Sequence, residues 1–150
     1  MLIQAFKEFL ERDVDQLKKE ITSYANEKDL WKISGEIKNS GGNLCLHLCG
    51  NLQHFIGSVI GTSGYIRERD KEFSKKNISV PELVNEIDVT VNIVKKVLSQ
   101  LKDEDLATIF PSPTFGKDNL TISYVLMQVA LHLNYHLGQI NYHRRMIGAC

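Results

Sequence analysis

Apolar residues recur at spacings of three and four along four long segments of the chain, and this period strongly restricts the possible folds. The segments run from Leu2 to about Tyr24, from about Asn43 to Ile60, from just after Ser79 to about Leu101, and from Leu120 to about Met146. Such spacing places apolar side chains on one face of an α-helix, whereas a half-buried strand alternates with a period of two. No convincing alternation occurs. We therefore predict an all-α protein built as a four-helix bundle.

Residues that begin and interrupt helices agree with this pattern. Ser79 precedes Pro81 and Glu82, so a capping residue, a proline near the first helical position and an acid in the first turn together predict a helix start. Gly50 and Gly57 interrupt the second segment. Glycine costs about 1 kcal/mol relative to alanine inside a helix, so we expect close packing against a neighbour at both positions.

Two connections between the helices are long. Residues 26–43 lose the helical period and contain several Gly, Asn and Ser residues, which predicts a loop, with Trp31 packing onto the bundle. Residues 61–77 are polar and marked by glycine, and we predict a connection with one helical turn in it. Connections of this length allow a topology other than a simple alternation of up and down helices.

Length and charge narrow the class of protein. The chain of 150 residues is predicted to form one domain spanning residues 1–150. Eighteen basic residues balance eighteen acidic ones, which disfavours binding to nucleic acid or to an anionic membrane. No apolar run reaches about 18 residues, and the first residues lack the apolar core of a signal peptide. We expect a cytoplasmic protein.

The last segment places His132 and His136 four residues apart. In a helix this spacing puts both side chains on one face with Cβ atoms about 5–6 Å apart, so both rings can reach one metal ion. His47, in the apolar part of the second segment, is the candidate third ligand. His54 lies seven residues after His47, and His143 seven after His136, about 10.5 Å along the helix axis in each case. We therefore exclude His54 and His143 from this site.

The cysteines have a different interpretation. Cys45, Cys49 and Cys150 form a small, odd set without a C-x-x-C pair, which is typical of a reducing compartment. Cys45 and Cys49 each lie two residues from His47, about 200° around a helix, so they share a face roughly opposite the histidine. We interpret them as small buried hydrophobic residues rather than as ligands.

No P-loop, nucleophile-elbow or H-E-x-x-H motif occurs, which excludes the simplest nucleotide, hydrolase and zincin interpretations. The charged stretch RERDKEF, residues 67–73, fits either a solvated surface segment or an anion clamp formed by Arg67 and Arg69. Asn51 and Gln139 are candidate polar groups that support the site.

Three stretches carry a resemblance to a known family: HLCGN with His47, RERDKEF after the second helix, and HLNYHLGQI with His132 and His136. Over essentially its whole length the chain resembles the DinB/YfiT-like superfamily of metal-binding four-helix bundles. That superfamily typically carries one histidine in the second helix and an H-x-x-x-H pair followed by R-G-Q in the last. Here Gly138 and Gln139 are retained, and Leu137 stands where arginine is usual.

The resemblance implies an up-down-down-up bundle, a homodimer, and a divalent metal such as zinc, nickel or manganese held by the three histidines. Characterised relatives include transferases and isomerases that use bacillithiol, mycothiol or glutathione. The stretches quoted are most similar to a branch whose function is uncharacterised. Because Leu137 stands in place of the usual arginine, a positive charge typical of the superfamily is missing here. The three histidines are unaffected by this difference.

Three functions fit these features. The first is a metal-dependent enzyme acting on a small molecule, most concretely a low-molecular-weight-thiol S-transferase, since a metal dication deprotonates a coordinated thiol. In it Arg67 and Arg69 would receive the carboxylates of the thiol. The second is a non-catalytic stress-response bundle that binds a metal or a ligand. The third is a metal-dependent hydrolase, for which the sequence offers no identifiable general base.

Overall fold

Each of the four segments with apolar residues at helical spacing forms a helix in the structure, a computed structural model that describes residues 1–148. The long helices are α1 (Leu2–Thr22), α2 (Gly41–Leu52), α4 (Val80–Gln100) and α5 (Ile122–Ile147), and a short helix α3 (Arg69–Ser74) lies between α2 and α4. Within residues 1–148 two isolated β-bridges occur and no strand forms. The prediction of an all-α protein is confirmed.

Helix boundaries follow from local capping. The predicted start of α4 is confirmed, because Ser79 and Glu82 form a capping box in which each side chain binds the backbone N–H of the other. The second helix begins earlier than predicted, since the Ser40 hydroxyl accepts from the Asn43 N–H and brings Gly41 and Gly42 into the first turn. A Cβ on Gly42 would lie 2.7 Å from the Trp31 ring, so Trp31 does pack onto the helices as expected.

Continuing directly from α2 is a π-helix, Gln53–Ile60, which the apolar period did not distinguish from an α-helix. Gly57 lies in it, and a Cβ there would be 2.7 Å from Cγ2 of Ile93 on α4. The predicted close packing at this glycine is confirmed.

Side-chain contacts at two levels of each helix pair show how the long helices run. Helix α1 is antiparallel to α4 and parallel to α5, whereas α2 is antiparallel to α5 and parallel to α4. The contacts for α1 are Lys18–Asp88, Lys95–Glu11, Asn134–Asp13 and Asn141–Glu20. Those for α2 and its π-helical extension are His47–His132, the approach of Gly41 to His143, Gln53–Glu86 and Gly57–Ile93.

The apolar faces of these helices meet in one cluster of buried side chains. Its largest fully buried members include Leu10 and Leu17 of α1, Leu48 of α2, Leu98 of α4 and Leu133 of α5. Each such side chain contributes about 1.5–3 kcal/mol of hydrophobic stabilisation. Through this cluster the facing sides of α2 and α5 are held in a defined register.

The predicted connection at residues 61–77 contains α3, as expected. The side-chain amide of buried Asn43 donates to the carbonyl oxygens of Glu72 and Lys75, both at 2.9 Å, and thereby ties α3 to the start of α2. Cys45 and Cys49 are buried and free, as predicted, whereas Cys150 lies outside the described residues. No helix within residues 1–148 combines the length and apolar character needed to span a membrane.

Candidate metal centre

Three histidine rings meet between α2 and α5. His47 projects from α2, and His132 and His136 project from successive turns of α5. The Nε2 atom of His132 lies 3.0 Å from Nε2 of His47 and 3.1 Å from Nε2 of His136. His47 is buried and the other two rings are half-buried. The predicted trio is therefore brought together by one nitrogen of each ring.

Hydrogen bonds on the far side of two rings define which nitrogen carries the proton. Nδ1 of His47 lies 3.0 Å from a carboxylate oxygen of Glu72, and Nδ1 of His136 lies 2.6 Å from Oε1 of Gln139. Both partners accept, so both Nδ1 atoms donate, and in the neutral form of each ring the Nε2 atom presents a lone pair. Two lone pairs thus point toward the position of His132 Nε2.

His132 cannot satisfy both neighbours. Its Nε2 carries at most one proton, which binds one of the two lone pairs, and its Nδ1 is buried without a hydrogen-bond partner. A cation shared by the three Nε2 atoms removes this conflict. In a tetrahedral zinc site with Zn–N bonds of about 2.0–2.1 Å, neighbouring nitrogens lie about 3.3–3.4 Å apart, close to the spacing seen here. The three side chains fit a divalent metal.

The environment favours the neutral form of His132 and His136. Burial lowers the pKa of His132 to about 4, helped by the charges of its histidine neighbours and of Arg67 and Arg69. Burial also lowers the pKa of His136, against the raising effect of its bond to Gln139. Neutral imidazole is the form that binds metals, so both rings are in the ligating state at neutral pH.

The carboxylate of Glu72 is held on both sides. Arg67 donates to it twice, with Nε and Nη2 each 2.9 Å from a carboxylate oxygen, while His47 donates from the other side. Burial alone would raise the pKa of Glu72, but the bonds from His47 and Arg67 outweigh it and lower the pKa below its usual value. The result is an ionised, buried carboxylate that orients His47.

Gly50 makes room for this carboxylate. A Cβ at Gly50 would lie 2.0 Å from Oε2 of Glu72 and 2.6 Å from its carboxyl carbon. The close packing predicted at this glycine is confirmed, and the neighbour is a polar group of the site rather than an apolar side chain. Glycine at this position therefore allows the contact between α2 and α3 on which the orientation of His47 depends.

A cavity of about 460 Å³ opens beside His47 and His132. Its wall includes Asn51, Phe55, Arg69 and Phe115, and no aspartate or glutamate is among its lining residues. A larger groove of about 830 Å³ lies on the other side of Glu72, along α3 and the start of α4, and none of the three histidines lines it. The smaller cavity is the one that reaches the histidines.

Over residues 2–149 the sequence matches the model of the family described as "Protein of unknown function (DUF1572)". The chain belongs to the DUF1572 family. No significant match was found among curated proteins. A solved structure described as "Crystal structure of the conserved protein of locus from Enterococcus faecalis" superposes on this DUF1572 protein with a TM-score of 0.71. The match covers 96% of this chain and 95% of that chain at 16% sequence identity. At that identity the likeness shows the fold alone.

The other predicted site residues of the DUF1572 chain lie near the histidines but in different roles. Gln139 binds His136 directly, and Asn51 is buried beside the cavity. Arg67 lies at the site with its guanidinium bound to Glu72, whereas Arg69 is exposed at the cavity and stacks on the Phe73 ring with its guanidinium carbon 5.2 Å from the centroid.

The histidines excluded from the cluster lie apart from it. His143 is buried between the Tyr24 hydroxyl, 2.7 Å from its Nδ1, and the carbonyl oxygen of Lys32, 2.9 Å from its Nε2. His54 packs edge-on against Phe55. One functional residue of the DUF1572 site was missed by the sequence analysis, namely Glu72. The signal was its place in the charged stretch RERDKEF, where only the arginines were considered.

Proposed function

We propose that this DUF1572 protein is a metal-dependent enzyme in which His47, His132 and His136 hold one divalent cation through their Nε2 atoms. The observation that carries the proposal is the convergence of these three nitrogens, two of them with lone pairs directed at the third. A three-histidine site with an open position is the arrangement of many catalytic zinc sites. Imidazole ligands suit zinc and nickel, and the family resemblance adds manganese.

The cavity beside His47 and His132 supports a small-molecule substrate. A volume of about 460 Å³ suits a small molecule, and the cavity reaches two of the three histidines. A bound dication supplies a Lewis acid that lowers the pKa of a thiol or of water. The most concrete activity is transfer of a low-molecular-weight thiol to an electrophile. In this activity Glu72 and Gln139 hold the histidine rings, while Asn51 and Arg69 face the ligand.

A non-catalytic metal- or ligand-binding bundle is the second candidate. The observation in its favour is that the cavity wall contains no carboxylate, and Glu72 is engaged by Arg67 and His47. For the same reason a metal-dependent hydrolase is the weaker alternative, because no free general base lies at the cavity.

We further propose that the chain is a DinB/YfiT-like four-helix bundle of up-down-down-up topology. The directions of the long helices support this, since α1 and α5 run one way and α2 and α4 the other. The positions of the three histidines also match the pattern of that superfamily. The free, buried Cys45 and Cys49 are consistent with the proposed cytoplasmic location.

A homodimer is also proposed, with the outer face of α5 as its surface. This surface, the α5 stripe, consists of Tyr124, Met127, Leu131, Tyr135 and Tyr142, exposed by between 37% and 66%. The helix carries no charged residue from Ile122 to His143, whereas α1 carries charges along its outer face. A row of exposed aromatic and aliphatic side chains on an uncharged helix face is typical of a protein–protein interface.

Titration of the metal-free protein with zinc tests the metal proposal. We expect one zinc ion per chain, a sharp loss of affinity in the His132→Ala/His136→Ala double variant, and unchanged stoichiometry in the His54→Ala control. Full zinc stoichiometry in the double variant would overturn the site. Consumption of bacillithiol or glutathione in the presence of an electrophile, abolished by a chelator, would then separate the transferase from the binding protein.

A further inference from the structure

Asn51 is a buried amide with nothing to bind. Asn51 is only 6% exposed, and its Oδ1 atom is buried without a hydrogen-bond partner. Its side chain makes no hydrogen bond within residues 1–148. Buried polar groups in folded proteins are almost always satisfied, so one that has no protein partner and lies at a cavity binds water or a ligand there. Asn51 lines the cavity beside His47 and His132. A ligand that fills the cavity next to Oδ1 must therefore bring an N–H or O–H donor in place of water.

The charges of the cavity point to the rest of the ligand. Arg67 and Arg69 are its charged lining residues, and no carboxylate balances them within the wall. The Glu72 carboxylate neutralises Arg67 through a salt bridge, with 2.9 Å between Nη2 and Oε1. Arg69 forms no ion pair within the described part of the chain, and its guanidinium carbon lies 5.2 Å from the centroid of the Phe73 ring. A guanidinium in this state binds a carboxylate through two parallel hydrogen bonds.

Two aromatic rings complete the wall. The ring centroids of Phe55 and Phe115 lie 5.2 Å apart, inclined at 36°. Phe55 is buried, whereas Phe115 is 44% exposed at the cavity mouth. Such a pair offers an apolar surface on which a planar ring of a ligand packs.

We infer that this cavity binds an aromatic carboxylic acid that carries an amide N–H, and that Asn51 and Arg69 determine its specificity. Arg69 pairs with the carboxylate, Asn51 Oδ1 accepts from the amide N–H, and the two phenylalanines pack on the ring. The inference rests on the proposed function only in taking this cavity as the substrate site. It names the class of substrate that is presented to the histidine cluster.

Hippurate, which combines a phenyl ring, one amide N–H and a carboxylate, is the probe. Benzoyloxyacetate replaces the N–H by an ester oxygen, and methyl hippurate lacks the carboxylate. Binding of each compound to the zinc-loaded and the metal-free full-length protein is measured by ligand-observed NMR. We expect hippurate to bind about fivefold more tightly than benzoyloxyacetate, the effect of one hydrogen bond, and more tightly than methyl hippurate. Equal binding of hippurate and benzoyloxyacetate would overturn the role of Asn51.

Variants assign the contacts. Asn51→Leu should weaken hippurate and methyl hippurate, which both carry the N–H, by about fivefold, leave benzoyloxyacetate unchanged, and so abolish the advantage of hippurate over benzoyloxyacetate. Arg69→Gln should weaken both acids and leave methyl hippurate unchanged. Asn85→Leu, the same change at an exposed position of the larger groove, is the matched control and should alter none of the affinities. An equal loss of all three ligands in Asn51→Leu would refute the inference.

Thermal unfolding separates ligand recognition from a structural role. Because the Asn51 amide makes no hydrogen bond in the protein, Asn51→Leu should keep or raise the melting temperature, whereas a structural role predicts a lower one. The inference and the proposed function also fail separately. Zinc binding without discrimination between hippurate and its ester refutes the inference alone. Discrimination by a protein that binds no zinc refutes the metal proposal alone.

Discussion

Replacing Glu72 by glutamine tests how far the histidine cluster depends on the residues behind it. The variant keeps the shape of the side chain and an oxygen that accepts from Nδ1 of His47, but it removes the negative charge. Partners that orient a metal-binding histidine typically change metal affinity by 10–100-fold. We therefore expect zinc to bind Glu72→Gln about 10–100-fold more weakly, which is about 1.4–2.7 kcal/mol.

The same substitution should lower the stability of the metal-free protein. Arg67 has only 13% of its side chain exposed and would lose the carboxylate to which it donates twice. Leaving a buried charge without its partner costs about 3–5 kcal/mol, and we expect the lower end because Arg67 retains some contact with water. Urea unfolding of metal-free protein measures this free energy, and competition with a zinc-binding dye measures the affinity.

Glu68→Gln is the matched control. Glu68 is on the same connection, but both side chains of its ion pair with Lys71 are more than half exposed, so its loss should leave the free energy of unfolding nearly unchanged. Zinc affinity should not change. If Glu72→Gln destabilises the protein as expected yet binds zinc as tightly as the wild type, the carboxylate serves only the fold. That result would refute the argument that it orients His47.

Three further substitutions test other parts of the structure. Gly50→Ala should lower zinc affinity, because the new Cβ would overlap the Glu72 carboxylate and push it away from His47. Titration calorimetry measures the affinity, and an unchanged value would contradict this expectation. Leu131→Glu should convert the proposed dimer to a monomer in light scattering, and a wild-type monomer at micromolar concentration would refute the dimer. Burial alone would raise the pKa of Glu20, but bonds from Asn141, Arg144 and Gln16 lower it below 4.5. The free energy of unfolding in urea should therefore be larger for the wild type than for Glu20→Gln above pH 4.5. This difference should vanish as the pH falls through the lowered pKa of Glu20. A difference that does not change with pH would be inconsistent with this reasoning.

The long helices were predictable because their information is local. Apolar spacing of three and four is a property of each segment alone, and the capping box of Ser79 and Glu82 is encoded within four residues. The spacing of His132 and His136 is local in the same sense. The π-helix Gln53–Ile60 was not predictable, since its apolar residues fit an α-helical period equally well.

The partners of the cluster could not be derived in the same way. Glu72 is 25 residues from His47 in the chain, and their contact depends on how the connection after α2 folds back onto Gly50. Sequence reasoning identified Arg67 as a charge available to a ligand, whereas the structure pairs it with Glu72. The unsatisfied state of the Asn51 amide is likewise a property of the packed interior and has no signature in the sequence.

The placement of the histidines on two different helices has a mechanical consequence. His47 and His132 are 85 residues apart in the chain, so the proposed cation would act as a cross-link that closes a very long loop. A covalent cross-link closing a loop of this size stabilises a protein by about 4–5 kcal/mol in the chain-entropy model. Bound metal would therefore slow hydrogen exchange in α2 and α5 together, making the opening of one helix conditional on release of the other.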